Sequence, residues 1–196
     1  MVGKKIIKVG VDLDGVIAKH SLGGFWVWLR RFKEKILKKT ANFRYYYPSS
    51  LIELIGWKVI NWHRVPSLDR ESIFSFLAAK KEIRFYLVTS RFRFLEDLTL
   101  RWLKKYELNS CFHQILINIE DQNPLVYKSK AIQTLDLDFF IDDDLEVIDY
   151  LKKKTKARLY WIVPGHRKKS DNHDDQVETC QDFAEALKKI FGRSSI

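Results

Sequence analysis

The chain has 196 residues, 46% of them hydrophobic and 14% aromatic, with only 8 Gly and 4 Pro. That length and apolar content suit one compact domain, or one domain with a modest insertion, and exclude a disordered or collagen-like chain. Two cysteines, Cys111 and Cys180, exclude a disulfide scaffold and a four-thiolate zinc site. The longest uninterrupted apolar run, residues 25–29, falls far short of the roughly 20 residues of a membrane span. Met1-Val2-Gly3-Lys4-Lys5 leads into a β-rich run without a signal-peptide pattern, so a cytoplasmic location is expected. The formal charge of +10 is concentrated early: residues 19–47 hold eight Lys/Arg against the single acid Glu34. Such a segment is either a solvated face or a contact for an anionic partner, whether phosphorylated substrate, nucleic acid or anionic membrane.

In chain order, Ile6 to Leu13 reads as a buried strand that ends at Gly15. The stretch from about 18 to 68 is too long for an ordinary crossover. It holds an amphipathic helical stripe (Phe25, Leu29, Phe32, Ile36), a Tyr-Tyr-Tyr-Pro break at 45–48 and an apolar segment from Leu51 to Trp62, and reads as an inserted helical cap. The stripe fits internal packing of the cap, although a basic helix carrying Trp26 and Trp28 is also a type that lies on anionic membranes. A helix is expected from Asp69 to Lys81, a second strand over 83–89, a helix over 94–106 and a third strand over 112–117. There follow a helix over 129–135, a strand over 137–141, a helix over 145–154, a strand over 158–163 and a helix over 180–191. Alternating strands and helices with short loops specify a parallel sheet, here five-stranded, covered on both faces.

In an open parallel sheet, function gathers beyond the carboxyl ends of the strands. Strand one ends in Asp12-Leu13-Asp14-Gly15, strand two in Thr89-Ser90-Arg91 and strand four in Asp142-Asp143-Asp144, with Lys128 placed 14 residues before Asp142. Carboxylates this close repel one another unless a cation compensates, and oxygen donors select a hard divalent ion, Mg²⁺. A hydroxyl and a lysine beside that ion make a phosphate cradle. Asp12 is available as a nucleophile that forms an aspartyl-phosphate, and Asp14 as general acid and then base.

Val11-Asp12-Leu13-Asp14-Gly15-Val16, then Thr89, Lys128 and Phe140-Ile141-Asp142-Asp143 resemble, in order and spacing, the four motifs of the haloacid dehalogenase (HAD) superfamily. The resemblance runs from residue 6 to about 163. It implies a three-layer α/β/α Rossmann-like fold of residues 1–17 plus 69–196 with strand order 3-2-1-4-5, and 18–68 as a C1-type cap that shapes substrate choice. It also implies Asp12 as nucleophile and Mg²⁺ ligand, Asp14 as acid/base and metal ligand through its backbone carbonyl, Asp143 as a direct ligand and Asp142 in support. Thr89 would bind phosphoryl oxygens and Lys128 would neutralise the phosphoaspartate. The DLDGV, TSR and IDDD segments look like those of small C1-capped phosphatases and 5′-nucleotidase-like proteins, which implies a nucleotide or other small phosphometabolite as substrate.

Several readings stay open. Lys130 competes with Lys128 for the phosphate, with the helix expected to begin just after Lys128. Thr89 is either a phosphate ligand or a strand-end cap. Ser90 and Arg91 either bind substrate or, for Arg91, pair with a surface acid. Asp144 fits an N-cap better than a ligand. His166 and His173, with Asp171, Asp174 and Asp175, lack helical zinc spacing and read as a solvated loop. Two other functions compete with hydrolysis: phosphotransfer or mutase chemistry on the same aspartate, and a non-catalytic module that binds nucleic acid or membrane through the basic segment.

Overall fold

The computed structural model describes residues 6–20, 47–68, 82–163 and 175–193. The expected helix from Asp69 to Lys81, the stripe from Phe25 to Ile36, most of the basic segment and the loop bearing His166 and His173 lie outside the described residues.

Strand β1 (Ile7–Val11) is central, with β4 (Ile83–Phe92) on one side and β6 (Phe139–Asp142) on the other, all parallel. Beyond β4 lies β5 (Gln114–Asn118); beyond β6 come β7 (Arg158–Ile162) and then β8 (Val177–Cys180), giving a six-stranded parallel sheet. Side chains alternate between two cores, as the period of a strand requires. Val9, Val11, Phe85, Leu87, Ile141 and Tyr160 pack with Trp102 and Leu103 of helix α2 (Glu96–Lys105) and Phe183 and Leu187 of α5 (Phe183–Arg193). Tyr86, Val88, Phe140, Leu159 and Trp161 pack with α3 (Pro124–Leu135) and α4 (Leu145–Lys152). Burial on both faces makes the strands continuous apolar runs rather than half-polar ones. Gly10 permits the tight β1–β6 contact, since a Cβ there would stand 2.4 Å from Leu137 Cδ1.

The expected strand order holds, and a sixth strand is added. β8 escapes sequence reading because it is four residues of half-buried Val-Glu-Thr followed by Cys180, and it becomes a strand only by pairing with β7. Its Glu178 forms an ion pair with Arg158 of β7 at 3.4 Å. The helix expected over 129–135 begins five residues earlier. Asn123 caps it by accepting from Leu125 N at 2.9 Å, and Pro124 opens its first turn. Lys128 therefore lies within α3, not before it. β4 also runs past Thr89 to Phe92, with a register shift between those two residues.

The described part of the insertion has its own small frame. β2 (Ala18–His20) pairs antiparallel with β3 (Arg64–Pro66), so the chain leaves and re-enters the core side by side. Between them, α1 (Leu51–Trp62) starts with a capping box in which Ser50 accepts from Glu53 N while the Glu53 carboxylate accepts from Ser50 N. Trp102 Nε1 donates to Arg64 O at 2.9 Å, which ties β3 to α2 of the core. No described helix is long and apolar enough to cross a membrane.

Candidate active site

Asp12 follows directly on β1 and is anchored by its amide, which donates to Ile141 O of β6 at 3.0 Å. The residue is 4% exposed. Asp142, fully buried at the end of β6, comes alongside because β1 and β6 are paired neighbours. Asp143 is the next residue, and oxygens of Asp12, Asp142 and Asp143 all lie within 4.8 Å of one another. Gly15 makes room for the third carboxylate: a Cβ there would stand 2.0 Å from Asp143 Oδ2, and the residue has φ 82°, a conformation glycine adopts without strain. The turn after Asp14 is closed by Gly15 N donating to Ala18 O at 2.8 Å.

Lys128 reaches this cluster from the second turn of α3, its side chain running back toward the helix start. Its Nζ donates to Asp142 Oδ2 at 2.7 Å and stands 3.3 Å from Asp12 Oδ1 as an ion-pair partner. Asp12 Oδ1 itself makes no hydrogen bond. Burial pushes the Asp12 carboxyl well above the usual range; Lys128 opposes this, and Asp142, Asp14 and Asp143 add to it. Asp143 is pushed up to about 7, by burial first and by Asp142 second. Burial pulls Lys128 down, but Asp12 and Asp142 overcome it and hold the ammonium above its usual range.

These residues fit a divalent cation on their own chemistry. Three carboxylates face one ammonium, all the donors are oxygens, one Asp12 oxygen makes no hydrogen bond, and burial disfavours the bare anions unless a cation joins them.

Asp14 is placed differently. Arg91 Nε donates to Asp14 Oδ2 at 2.8 Å and Arg91 Nη2 to Oδ1 at 2.7 Å, a bidentate pair. Arg91 is itself fixed by donating from Nη1 to Thr99 Oγ1 at 3.0 Å. A second guanidinium, Arg64, brings Nε to 3.0 Å from Asp14 Oδ1, while that same Nε donates to Asn61 Oδ1 at 3.2 Å. Burial raises Asp14, and the two arginines outweigh it, leaving the carboxyl well below the usual range.

Thus Asp12, Asp142, Asp143 and Lys128 come together, and Asp14 joins them at the rim. Thr89 is buried one strand over, its Oγ1 accepting from Arg91 N at 3.3 Å, and Ser90 sits half-buried in the register shift beside it. Three expectations need correction. Arg91 is not turned toward a surface acid; it is buried and donates to both oxygens of Asp14. Lys130 does not reach the cluster, because two residues along a helix turn the side chain to the opposite side; it is exposed and borders a groove beside β5. The helix does not begin after Lys128, so the reason for preferring Lys128 on that ground fails, although Lys128 is the residue at the carboxylates. Asp144 caps α4, accepting from Glu146 N at 2.9 Å. Sequence reading missed Arg64, Asn61 and Thr99. Asn123-Pro124 was a legible helix start, but nothing in the sequence marked Arg64.

No protein-family model matches the chain, and no curated protein matches it in sequence. Solved structures do match in fold. An L-2-haloacid dehalogenase shares 11% identity over 95% of this chain and 99% of its own, with a TM-score of 0.61. An archaeal β-phosphoglucomutase from a Pyrococcus species shares 12% over 95% of this chain and 100% of its own, TM-score 0.53. A HAD family enzyme from Bacteroides thetaiotaomicron, solved in complex with magnesium and inorganic phosphate, shares 13% over 83% of this chain and 96% of its own, TM-score 0.50. At these identities the likeness is one of architecture: the chain has the haloacid dehalogenase-like α/β fold, with its acidic cluster at the carboxyl ends of the central strands.

Proposed function

We propose that this protein is a Mg²⁺-dependent phosphatase acting on a small phosphate monoester through an aspartyl-phosphate on Asp12. The observation that carries the reading is the convergence of Asp12, Asp142 and Asp143 on one buried ammonium, Lys128, which leaves a surplus of negative charge where a divalent ion fits. Asp12, Asp142, Asp143 and the Asp14 backbone carbonyl would hold the ion, whose bound form supplies neutralisation of phosphoryl charge. Its presence with phosphate in the Bacteroides enzyme supports the same use here.

The chain's own residues divide the remaining work. An Asp12 carboxylate oxygen attacks phosphorus as the ester P–O bond breaks and the leaving oxygen takes a proton. Water then attacks the phosphorus, gives its proton to a base, and the P–O bond to Asp12 breaks. Lys128 stabilises the carboxylate before attack and the phosphoaspartate after it. Thr89 donates its hydroxyl to a phosphoryl oxygen. Asp14 serves both proton steps. Arg91 donates to both its oxygens, so in this arrangement Asp14 is set as the base. The segment 18–68 acts as a C1-type cap over the site, and the substrate is a nucleotide or another small phosphometabolite, as for the 5′-nucleotidase-like branch. Transfer of the phosphoryl group to a sugar hydroxyl instead of water is the second reading, favoured by the likeness to a phosphoglucomutase.

The test uses acetyl phosphate, whose leaving group needs little protonation. With Mg²⁺, Asp14→Asn accumulates a phosphate adduct detectable by intact-mass spectrometry, because Asp12 remains and the base is gone. Asp12→Asn forms none and turns over no substrate. An adduct on both variants, or hydrolysis by Asp12→Asn, overturns the mechanism.

A further inference from the structure

The sheet's two edges are treated unequally. β8 is four residues long and carries Glu178 in an ion pair with its neighbour strand. β5 has no described strand on its outer side, and its central Ile115-Leu116-Ile117 contains neither charge nor proline. Natural sheets blunt a free edge with charge, proline, brevity or a covering element, because an unblunted edge pairs with another chain. Here the edge opens into a groove of about 430 Å³ between α2 and α3, with apolar walls from Leu100, Ile115, Leu116, Ile117, Ile119 and Ala131. At its margins Leu100 and Ile119 are 44% and 46% exposed.

The charge pattern selects the occupant. On α2, Glu96, Leu100 and Lys104 recur every four residues and share one stripe, acid then apolar then base. Glu96 and Leu100 border the groove. A two-fold axis perpendicular to the sheet at the middle of β5 lays a second β5 antiparallel to the first and keeps the α2 helices on the same face, running in opposite directions. Under that operation the acid–apolar–base order of one α2 runs against that of the other, so Glu96 of one copy pairs in sign with Lys104 of its mate, with Leu100 between them. On the α3 face, Glu120 at the end of β5 and Lys130 of α3 carry the same opposition of sign. A surface that is its own complement under a two-fold rotation is the requirement for an isologous dimer.

We propose that this protein forms a two-fold dimer through its β5 edges, joining two sheets into one and closing the groove between α2 and α3. None of these residues belongs to the acidic cluster, so the inference is independent of the proposed chemistry.

The test is analytical ultracentrifugation of the full chain over a concentration series, with circular dichroism to verify that each variant is folded. Wild type sediments as a dimer, and Leu100→Lys as a monomer. Glu96→Lys and Lys104→Glu each weaken association about tenfold by setting like charges opposite one another, and the double variant E96K/K104E restores it. Hydrogen exchange at β5 slows as protein concentration rises. A monomer at every concentration, a dimer indifferent to Leu100→Lys, a double variant no tighter than the singles, or β5 protection independent of concentration would each overturn the proposal; the last would mean that a segment of the same chain covers the edge.

Discussion

The core rim and the insertion meet at Asp14, and they hold it by different means. From the core comes Arg91, 4% exposed, delivering two hydrogen bonds and braced by Thr99. From the insertion comes Arg64 on β3, which brings charge to Asp14 while its Nε–H is directed to Asn61. The same contrast runs through the packing. Val9, Val11 and Leu13 of the core are fully buried, whereas Leu51, Ile52 and Trp62 of α1 are 72%, 83% and 71% exposed. A carboxylate that takes two hydrogen bonds from the core and a single close charge from the insertion teaches that the two regions share one rim group unequally.

The comparison breaks most severely at Lys128. Lys128→Met leaves buried Asp12 and Asp142 without their shared cation, a loss of about 3–5 kcal/mol in the absence of divalent ions. Urea denaturation measures it, and Mg²⁺ should recover part of the loss. A variant as stable as wild type without Mg²⁺ would mean that the carboxylates are already neutral.

The two arginines separate core from insertion directly. Arg91→Met takes both hydrogen bonds from Asp14, leaving it Arg64 alone, and should cost about 3 kcal/mol. Arg64→Gln removes a single charged contact to Asp14 and should cost less, about 1.5 kcal/mol. Thermal melts of both variants make the comparison, and equal losses would erase the distinction drawn here.

The smallest effect is in pH. Asp143, raised to about 7, binds a proton more tightly folded than unfolded, so its contribution favours the folded state at low pH and is lost as pH rises between about 4 and 7. The metal-free melting temperature should fall across that window, and less so in Asp143→Asn. Mg²⁺, which must displace the proton, should stabilise more at pH 8 than at pH 5.5. A melting temperature that rises from pH 5 to 7 in wild type and Asp143→Asn alike would refute the assignment.

The strands of the central sheet were legible because each is a run of apolar, often β-branched residues between helical patterns, and that period depends on the local chain alone. The aspartates at 12, 14, 142 and 143 were legible for the related reason that parallel strands place their carboxyl ends on one rim. Lys128 was legible as a candidate, but its rivalry with Lys130 was not resolvable until the helix start at Asn123-Pro124 fixed the turn on which each lies. The remainder depends on partners remote in the chain. β8 is a strand only because β7 lies beside it. Arg91 clamps Asp14 across 77 residues, a pairing that no local pattern encodes. Arg64 reaches the same carboxylate only because β2 and β3 return the insertion to the point it left. Periodicity and strand-end chemistry are properties of neighbouring residues and so belong to the sequence. Which cation faces which carboxylate is set by the distances between packed elements, and only the tertiary structure determines those.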